Sequence, residues 1–128
     1  MKDKVLELLK NEHRALEAIE INDLLGYRTS SEYKELYDTL EDLVNEFVVF
    51  KTKKEKYILL KNFPGLKIGK LQINKKGFGF VLLDKEDDLY IDVNNLNGAI
   101  DQDIVLCEVN THGLKKEGKV LRIVKREL

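Results

Sequence analysis

The sequence has few of the residues on which several classes of protein depend. Its 128 residues include one cysteine, one proline and no tryptophan. A single cysteine, Cys107, excludes an intrachain disulfide. The chain also lacks the basic-then-apolar start of a signal peptide, so we expect a cytoplasmic protein. No apolar run is long enough to span a bilayer, and we expect no membrane partner.

The chain also has no excess of one charge, because 22 Lys and Arg residues are balanced by 23 Asp and Glu residues. This near balance argues against a protein that binds nucleic acid through general positive charge, although it allows local basic patches. No group of residues has the spacing of a metal site, and no nucleophile lies beside a base. We therefore predict no catalytic and no metal-binding residue in this chain. Cys107 lies in an apolar stretch, and we assign it to the core.

The pattern of apolar residues changes near Pro64, which precedes a glycine and marks a turn. Before it, apolar residues recur every three or four positions, which predicts helices. After it, apolar and polar residues alternate, which predicts strands. The sequence therefore predicts an α+β protein with two domains, residues 1–62 and residues 63–128.

Three helices and a β-hairpin are predicted in the first domain, which is the order of a winged helix-turn-helix. Gly26 ends the second helix, and a capping box from Thr29 to Glu32 begins the third. The outer face of that third helix is acidic and would repel DNA phosphates, so we expect a protein-facing or solvated surface. The predicted elements are helices around Val5–Leu9, at Ala18–Leu25 and after Thr29, and strands Phe47–Lys51 and Lys56–Leu60.

The tip of this hairpin is rich in lysine, and two interpretations of it stay open. The lysines contact a phosphate backbone, or they solvate the hairpin and protect an edge strand from pairing. The residues concerned are Lys51, Lys53, Lys54 and Lys56.

Five short strands separated by turns are predicted in the second domain, which suits a small barrel of the oligonucleotide-binding (OB) type. In that barrel the second and third strands face the ligand. An acidic loop at Asp84–Asp88 is predicted to be a solvated turn. The predicted strands are Leu66–Ile73, Gly77–Asp84, Leu89–Val93, Ile104–Thr111 and Gly118–Lys125.

The most informative stretch opens the second of these strands. Phe78 and Phe80 point the same way in a strand, and we interpret the glycines beside them as clearing space for bases. Tyr90 follows on the next strand, and lysines supply attraction to phosphates. An alternative is that the rings pack under a loop or another domain. The predicted RNA-binding residues are Phe78, Phe80, Tyr90, Lys70, Lys75 and Lys76.

A basic stretch near the end of the chain allows two interpretations. We favour a solvated outer face on the last strand, and the alternative is a continuation of the RNA path. Its residues are Lys115, Lys116, Lys119, Arg122, Lys125 and Arg126.

The second domain, residues 63–128, resembles a cold-shock domain. It resembles more closely the variant of that domain found near the start of ribonuclease R-like exoribonucleases. That family also places a small winged-type helical domain ahead of the barrel, which residues 1–62 resemble. Two positions depart from the pattern: Asp92, where cold-shock proteins often have histidine, and Gln102, where the family usually has glycine. The matching segments are Gly69-Lys70-Leu71, Lys76-Gly77-Phe78-Gly79-Phe80-Val81, Asp88-Leu89-Tyr90-Ile91, Asn95-Leu96-Asn97-Gly98-Ala99, Asp103-Ile104-Val105, Lys116-Glu117-Gly118-Lys119-Val120 and Ile123-Val124.

The resemblance implies the RNA-capturing N-terminal part of a 3′-to-5′ exoribonuclease. The barrel would bind single-stranded RNA and guide it to a catalytic domain that comes later in the family's chains. Mg²⁺ is expected in that domain, and no cofactor is expected in the present chain. The helical domain implies structured RNA as a second ligand and docking to further domains of the same polypeptide. A free-standing cold-shock-like RNA-binding protein, and a regulatory interaction protein without nuclease activity, stay open as alternatives.

Overall fold

A computed structural model describes residues 1–112 and 115–126. The chain divides into two compact units, Met1–Phe63 and Pro64–Leu128. Each unit has its own cluster of buried apolar residues. Within the described ranges, no helix is both long enough and apolar enough to cross a membrane.

The first unit contains three helices and a small three-stranded sheet. The predicted capping box is confirmed, since the Thr29 hydroxyl accepts from the Glu32 amide at 3.1 Å and the Glu32 carboxylate accepts from the Thr29 amide at 3.0 Å. Gly26 ends the second helix in the left-handed region, with φ 75°. The elements are α1 (Lys2–Asn11), β1 (Leu16–Glu17), α2 (Ala18–Leu25), α3 (Ser30–Asn45), β2 (Val49–Lys51) and β3 (Lys56–Leu59).

The sheet of the first unit has the order β1-β3-β2 and is antiparallel throughout. The sequence did not predict β1, because two residues are too short to show an alternating pattern. The first hairpin strand begins at Val49 and not at Phe47, since Phe47 has φ 61° and cannot extend the strand. Helices and sheet share one core, in which Leu16, Leu36 and Tyr57 are almost fully buried.

The second unit is a closed barrel with strand order β4-β5-β6-β8-β7, which confirms the predicted OB-like architecture. β6 and β8 pair in parallel, and the other neighbouring strands pair antiparallel. The second predicted strand begins two residues later than expected, and the last begins earlier. The strands are β4 (Leu66–Ile73), β5 (Gly79–Leu82), β6 (Leu89–Ile91), β7 (Ile104–His112) and β8 (Lys115–Lys125).

Small aliphatic residues and Cys107 fill the interior of the barrel. Cys107 is fully buried, which confirms its assignment to the core. Burial also raises the pKa of its thiol to about 12, so the thiolate that would act as a nucleophile is scarce at neutral pH.

Two segments predicted to be solvated are exposed, and each also holds an ion pair. The exposed residues are those of the turn at 84–88 and, in the basic stretch, Lys116, Lys119, Arg122, Lys125 and Arg126. Glu86 in the acidic loop accepts from Lys67 at 2.7 Å, because the loop folds back beside β4. Arg126 in the basic stretch donates to the fully buried Asp103 at 3.1 Å and 3.2 Å. This guanidinium holds the pKa of Asp103 below its usual range. The side chain of Lys115 lies outside the described residues.

The turn that precedes Asp103 has Gln102 where the resemblance would place glycine. Gln102 adopts φ 74°, the left-handed conformation that glycine takes most easily. Its amide donates to the Leu71 carbonyl at 2.8 Å, which fixes the turn on β4.

Candidate nucleic-acid interface

Three aromatic rings form one cluster on the outer face of the barrel. The ring centroids of Phe78 and Tyr90 lie 5.3 Å apart, those of Phe78 and Phe80 5.6 Å, and those of Phe80 and Tyr90 5.9 Å. The planes are tilted or edge-to-face, which aromatic rings in contact favour. Each residue is half-buried, so each ring keeps surface that a ligand can cover. The structure thus brings the three predicted rings together as the ring cluster.

The alternation of side chains along β5 and β6 places this cluster outside. Val81, Leu89 and Ile91 point into the barrel and are almost fully buried. Phe80 and Tyr90 alternate with them and face each other in the register of the two strands. Phe78 lies just before β5, and the other two rings lie within strands.

The glycines beside these rings do not clear space for bases, so that interpretation was wrong. A Cβ atom on Gly79 would lie 2.8 Å from Cδ1 of Leu71, inside the barrel and on the side opposite to the rings. Gly77 has φ 95° and donates its amide to the Asn74 carbonyl at 3.1 Å, closing the hairpin turn. The first glycine position is required by the turn and the second by the packed interior.

The predicted lysines lie at two places around the ring cluster. Lys75 and Lys76 are exposed at the tip of the turn that leads directly into Phe78. Lys70 lies on β4 and is partly buried there. It lies on the same face of the strand as Gln72, which is opposite Phe80. The tip lysines are therefore the exposed charges that immediately adjoin the rings in the chain.

Asp92 orients one of the rings, a role that the sequence analysis missed. One carboxylate oxygen accepts from the Tyr90 hydroxyl at 3.3 Å, and the other accepts from the amide of Asn94 at 3.2 Å. The second bond caps the short 3₁₀ helix Val93–Asn95. Burial and then the charge of Asp92 raise the pKa of Tyr90, so the hydroxyl stays protonated and keeps donating. An Asp two residues before Asn94-Asn95 is a capping signal that reveals this helix start in the sequence.

A row of outward side chains runs across all five strands of the barrel. The strand registers place Gln72 beside Phe80, Phe80 beside Tyr90, Tyr90 beside Glu117, and Glu117 beside Asn110. We call these residues the outer row. Its polar members could not be predicted from the sequence, because the pairing of β6 with β8 joins segments far apart in the chain. No local pattern reports such a register.

Residues 69–123 match the family model of the ribonuclease B OB domain. The matched segment covers most of the barrel and lies wholly outside the first unit. A search of the curated proteins finds no match to the chain. The family match supports an OB domain of the ribonuclease B type in the second unit, and RNA binding as the activity of this domain.

Proposed function

We propose that the barrel binds single-stranded RNA by stacking bases on the ring cluster of Phe78, Phe80 and Tyr90. The observation that carries the proposal is the position of these rings. They contact one another outside a barrel whose interior aliphatic side chains already fill. Base–aromatic stacking contributes about 1–3 kcal/mol per base, and every base has a face that can stack. The ribonuclease B match supports RNA as the polymer.

The lysines at the hairpin tip are the proposed phosphate contacts. Lys75 and Lys76 are exposed where the chain enters the ring cluster. A strand whose bases stack on the rings would therefore pass its backbone near them. Lys70 is a further proposed contact along β4. Binding through phosphates weakens as salt rises, because bound counterions are released.

The ring proposal predicts a large loss of affinity in the double variant Phe78→Ala/Phe80→Ala. Removing two stacking surfaces is expected to weaken binding of a labelled single-stranded oligonucleotide at least about tenfold, by the stacking energies above. Fluorescence anisotropy measures the affinity, and circular dichroism checks that the barrel stays folded. Half-buried outer rings contribute less to the core than interior residues do, so a folded variant is expected.

The matched control removes the other aromatic pair of the chain. Phe50 and Phe63 lie with ring centroids 4.6 Å apart in the first unit, and both are half-buried. The variant Phe50→Ala/Phe63→Ala is expected to bind RNA as the unchanged protein does. Undiminished affinity in a folded Phe78→Ala/Phe80→Ala variant would refute stacking on the ring cluster.

We further propose that the chain is the N-terminal RNA-handling part of a ribonuclease R-like 3′-to-5′ exoribonuclease in the cytoplasm. Catalysis, and the Mg²⁺ it requires, would reside in a domain outside residues 1–128. An antibody against this chain, used on its source cells, tests the proposal. A protein several times heavier supports it, and a protein of the chain's own mass overturns it.

We propose the first unit as a winged-helix domain for structured RNA or for docking to further domains. Its support is the sheet order β1-β3-β2 with a hairpin after α3. The sequence suggested that the acidic face of α3 could meet a protein partner. The structure weakens the case for a partner held by charge, because two carboxylates of this face already form ion pairs within the first unit. Lys51 neutralises Glu41 at 2.8 Å, and Lys2 neutralises Glu46 at 3.0 Å. A chain that binds a protein and no RNA would instead support a regulatory module.

A further inference from the structure

Hydrogen-bonding groups border the ring cluster on both sides of the outer row. Gln72 lies beyond Phe80 on β4, and Glu117 lies beyond Tyr90 on β8. Asn110 continues the row on β7. A base stacked on the rings would therefore direct its polar edge toward the amide of Gln72 on one side, or toward Glu117 and Asn110 on the other.

Glu117 is the charged member of the outer row, and its carboxylate can accept hydrogen bonds from the polar edge of a base. It stands directly beside Tyr90, and neighbouring strands lie roughly 4.8 Å apart. Glu117 is partly exposed, and among the described residues the structure records no hydrogen bond or ion pair to its carboxylate.

The second carboxylate near the rings is already committed. Both oxygens of Asp92 accept hydrogen bonds, one from Tyr90 and one from the backbone of the following 3₁₀ helix. A base that bonded to Asp92 would have to displace one of them. Glu117 is therefore the carboxylate that a base meets at no such cost.

An ionised carboxylate only accepts hydrogen bonds, and this limits the bases that suit it. Guanine presents two adjacent donors, its ring N1–H and its exocyclic amino group, which match the two oxygens of one carboxylate. Cytosine and adenine present one amino group beside an acceptor nitrogen. Uracil presents one N–H between two carbonyl oxygens, which a carboxylate repels.

We propose that Glu117 makes the ring cluster selective for bases, in favour of guanine and against uracil. The inference rests on the proposed stacking of RNA on Phe78, Phe80 and Tyr90. It adds what stacking alone does not supply, since every base has a face that stacks. Glu117 acts on the base edge, and the rings hold the base in place.

Single-base changes in a fixed oligonucleotide test this selectivity with the whole chain. The host is an eight-nucleotide oligouridine, and its central position carries uridine, cytidine, guanosine or inosine, which lacks the exocyclic amino group. The guanosine oligonucleotide is expected to bind roughly five- to a hundredfold more tightly than the uridine host, the range of a bidentate base contact. Inosine is expected to fall between them.

The variant Glu117→Gln is expected to bring the guanosine-to-uridine affinity ratio close to one, because an amide both donates and accepts. Glu117→Ala is expected to do the same without a new donor. The matched control is Glu108→Gln, which removes the same charge from an exposed position on β7, opposite Lys119. It should raise all affinities alike and keep the ratio.

The outcomes separate this inference from the function on which it rests. Equal binding of all four oligonucleotides by the unchanged protein overturns the base selectivity and leaves stacking intact. A guanosine preference that survives Glu117→Gln overturns the role of Glu117. Failure to bind any of the oligonucleotides, or binding that Phe78→Ala/Phe80→Ala leaves unchanged, refutes the ring-cluster function itself.

Discussion

Two hairpins in this chain have the same turn and differ in the strand that leaves it. In the first, the Thr52 amide donates to the Lys56 carbonyl at 2.8 Å, and the Glu55 amide donates to the Thr52 carbonyl at 2.9 Å. In the second, Asn74 donates to Phe78 at 2.9 Å, and Gly77 donates to Asn74 at 3.1 Å. Both tips carry two consecutive lysines, Lys53-Lys54 and Lys75-Lys76.

The departing strands place their aromatic residues on opposite faces. Two residues beyond the left-handed position, Tyr57 points into the first core and is 2% exposed. At the corresponding position of the second hairpin stands Gly79, which leaves its inward space to Leu71. Phe78 and Phe80 therefore carry the aromatic surface outside. The second lysine-rich tip is the candidate RNA site because the strand that leaves it carries rings on its outer face.

Tyr57→Ala should give the largest effect that separates the two hairpins. Tyr57 is buried in the core of the first unit, and aromatic-to-alanine changes in cores cost about 3–5 kcal/mol. We expect a loss of that size in the unfolding free energy of the first unit, measured by urea titration with circular dichroism. RNA affinity below the transition should stay unchanged.

The counterpart on the second hairpin is Phe80→Ala. This variant should affect RNA affinity more than the unfolding free energy, the reverse of Tyr57→Ala. We expect a clear loss of RNA affinity and a smaller loss of stability, since Phe80 is half-buried on the outer face. If Tyr57→Ala weakened RNA binding as much as Phe80→Ala, the direction of the rings would not distinguish the hairpins.

Local sequence signals were sufficient for much of this architecture. Capping residues at Thr29 and Glu32 and the turn at Pro64 act within a few positions of the chain, so they can be recognised from sequence. Alternation along a strand likewise predicted that Phe78 and Phe80 share one face, and the barrel type predicted that Tyr90 lies on the neighbouring ligand-facing strand. These signals predicted most elements and the three rings of the site.

Features that depend on distant partners were missed or misinterpreted. Glu117 meets Tyr90 only through the parallel pairing of β6 with β8. Arg126 pairs with Asp103, which lies 23 positions earlier. Gly79 was assigned to the ligand face because its interior neighbour, Leu71, belongs to another strand. A single sequence shows which residues alternate, and it does not show which strands become neighbours.

The tip lysines give a smaller effect that sharpens the comparison. Each lysine that neutralises a phosphate of a single strand contributes about 0.7 to the slope of log affinity against log salt concentration. Lys75→Ala/Lys76→Ala is therefore expected to reduce that slope by about 1.4, measured by anisotropy over a salt series.

The same change at the first hairpin is its matched control. Lys53→Ala/Lys54→Ala removes two consecutive lysines from the same kind of turn, and the strand that leaves this turn directs its ring, Tyr57, into the core. We expect an unchanged slope. A reduction equal to that of the second hairpin would mean that RNA also passes over the first unit, and that rings are not needed to define the path.

The smallest expected effects lie in the turns themselves and differ between the two hairpins. The left-handed position is Glu55 in one, with φ 60°, and Gly77 in the other, with φ 95°. A side chain in this region costs about 1–2 kcal/mol, because its Cβ atom crowds the backbone. Gly77→Ala should destabilise the barrel by about that amount, since no atom closer than 3.8 Å adds a packing term.

Glu55→Gly should leave the first unit unchanged or stabilise it by up to about 1 kcal/mol, because glycine relieves the strain but adds freedom to the unfolded chain. Urea unfolding measures both changes. Equal destabilisation by the two substitutions would show that the turns differ in backbone energy as well as in the strands they join.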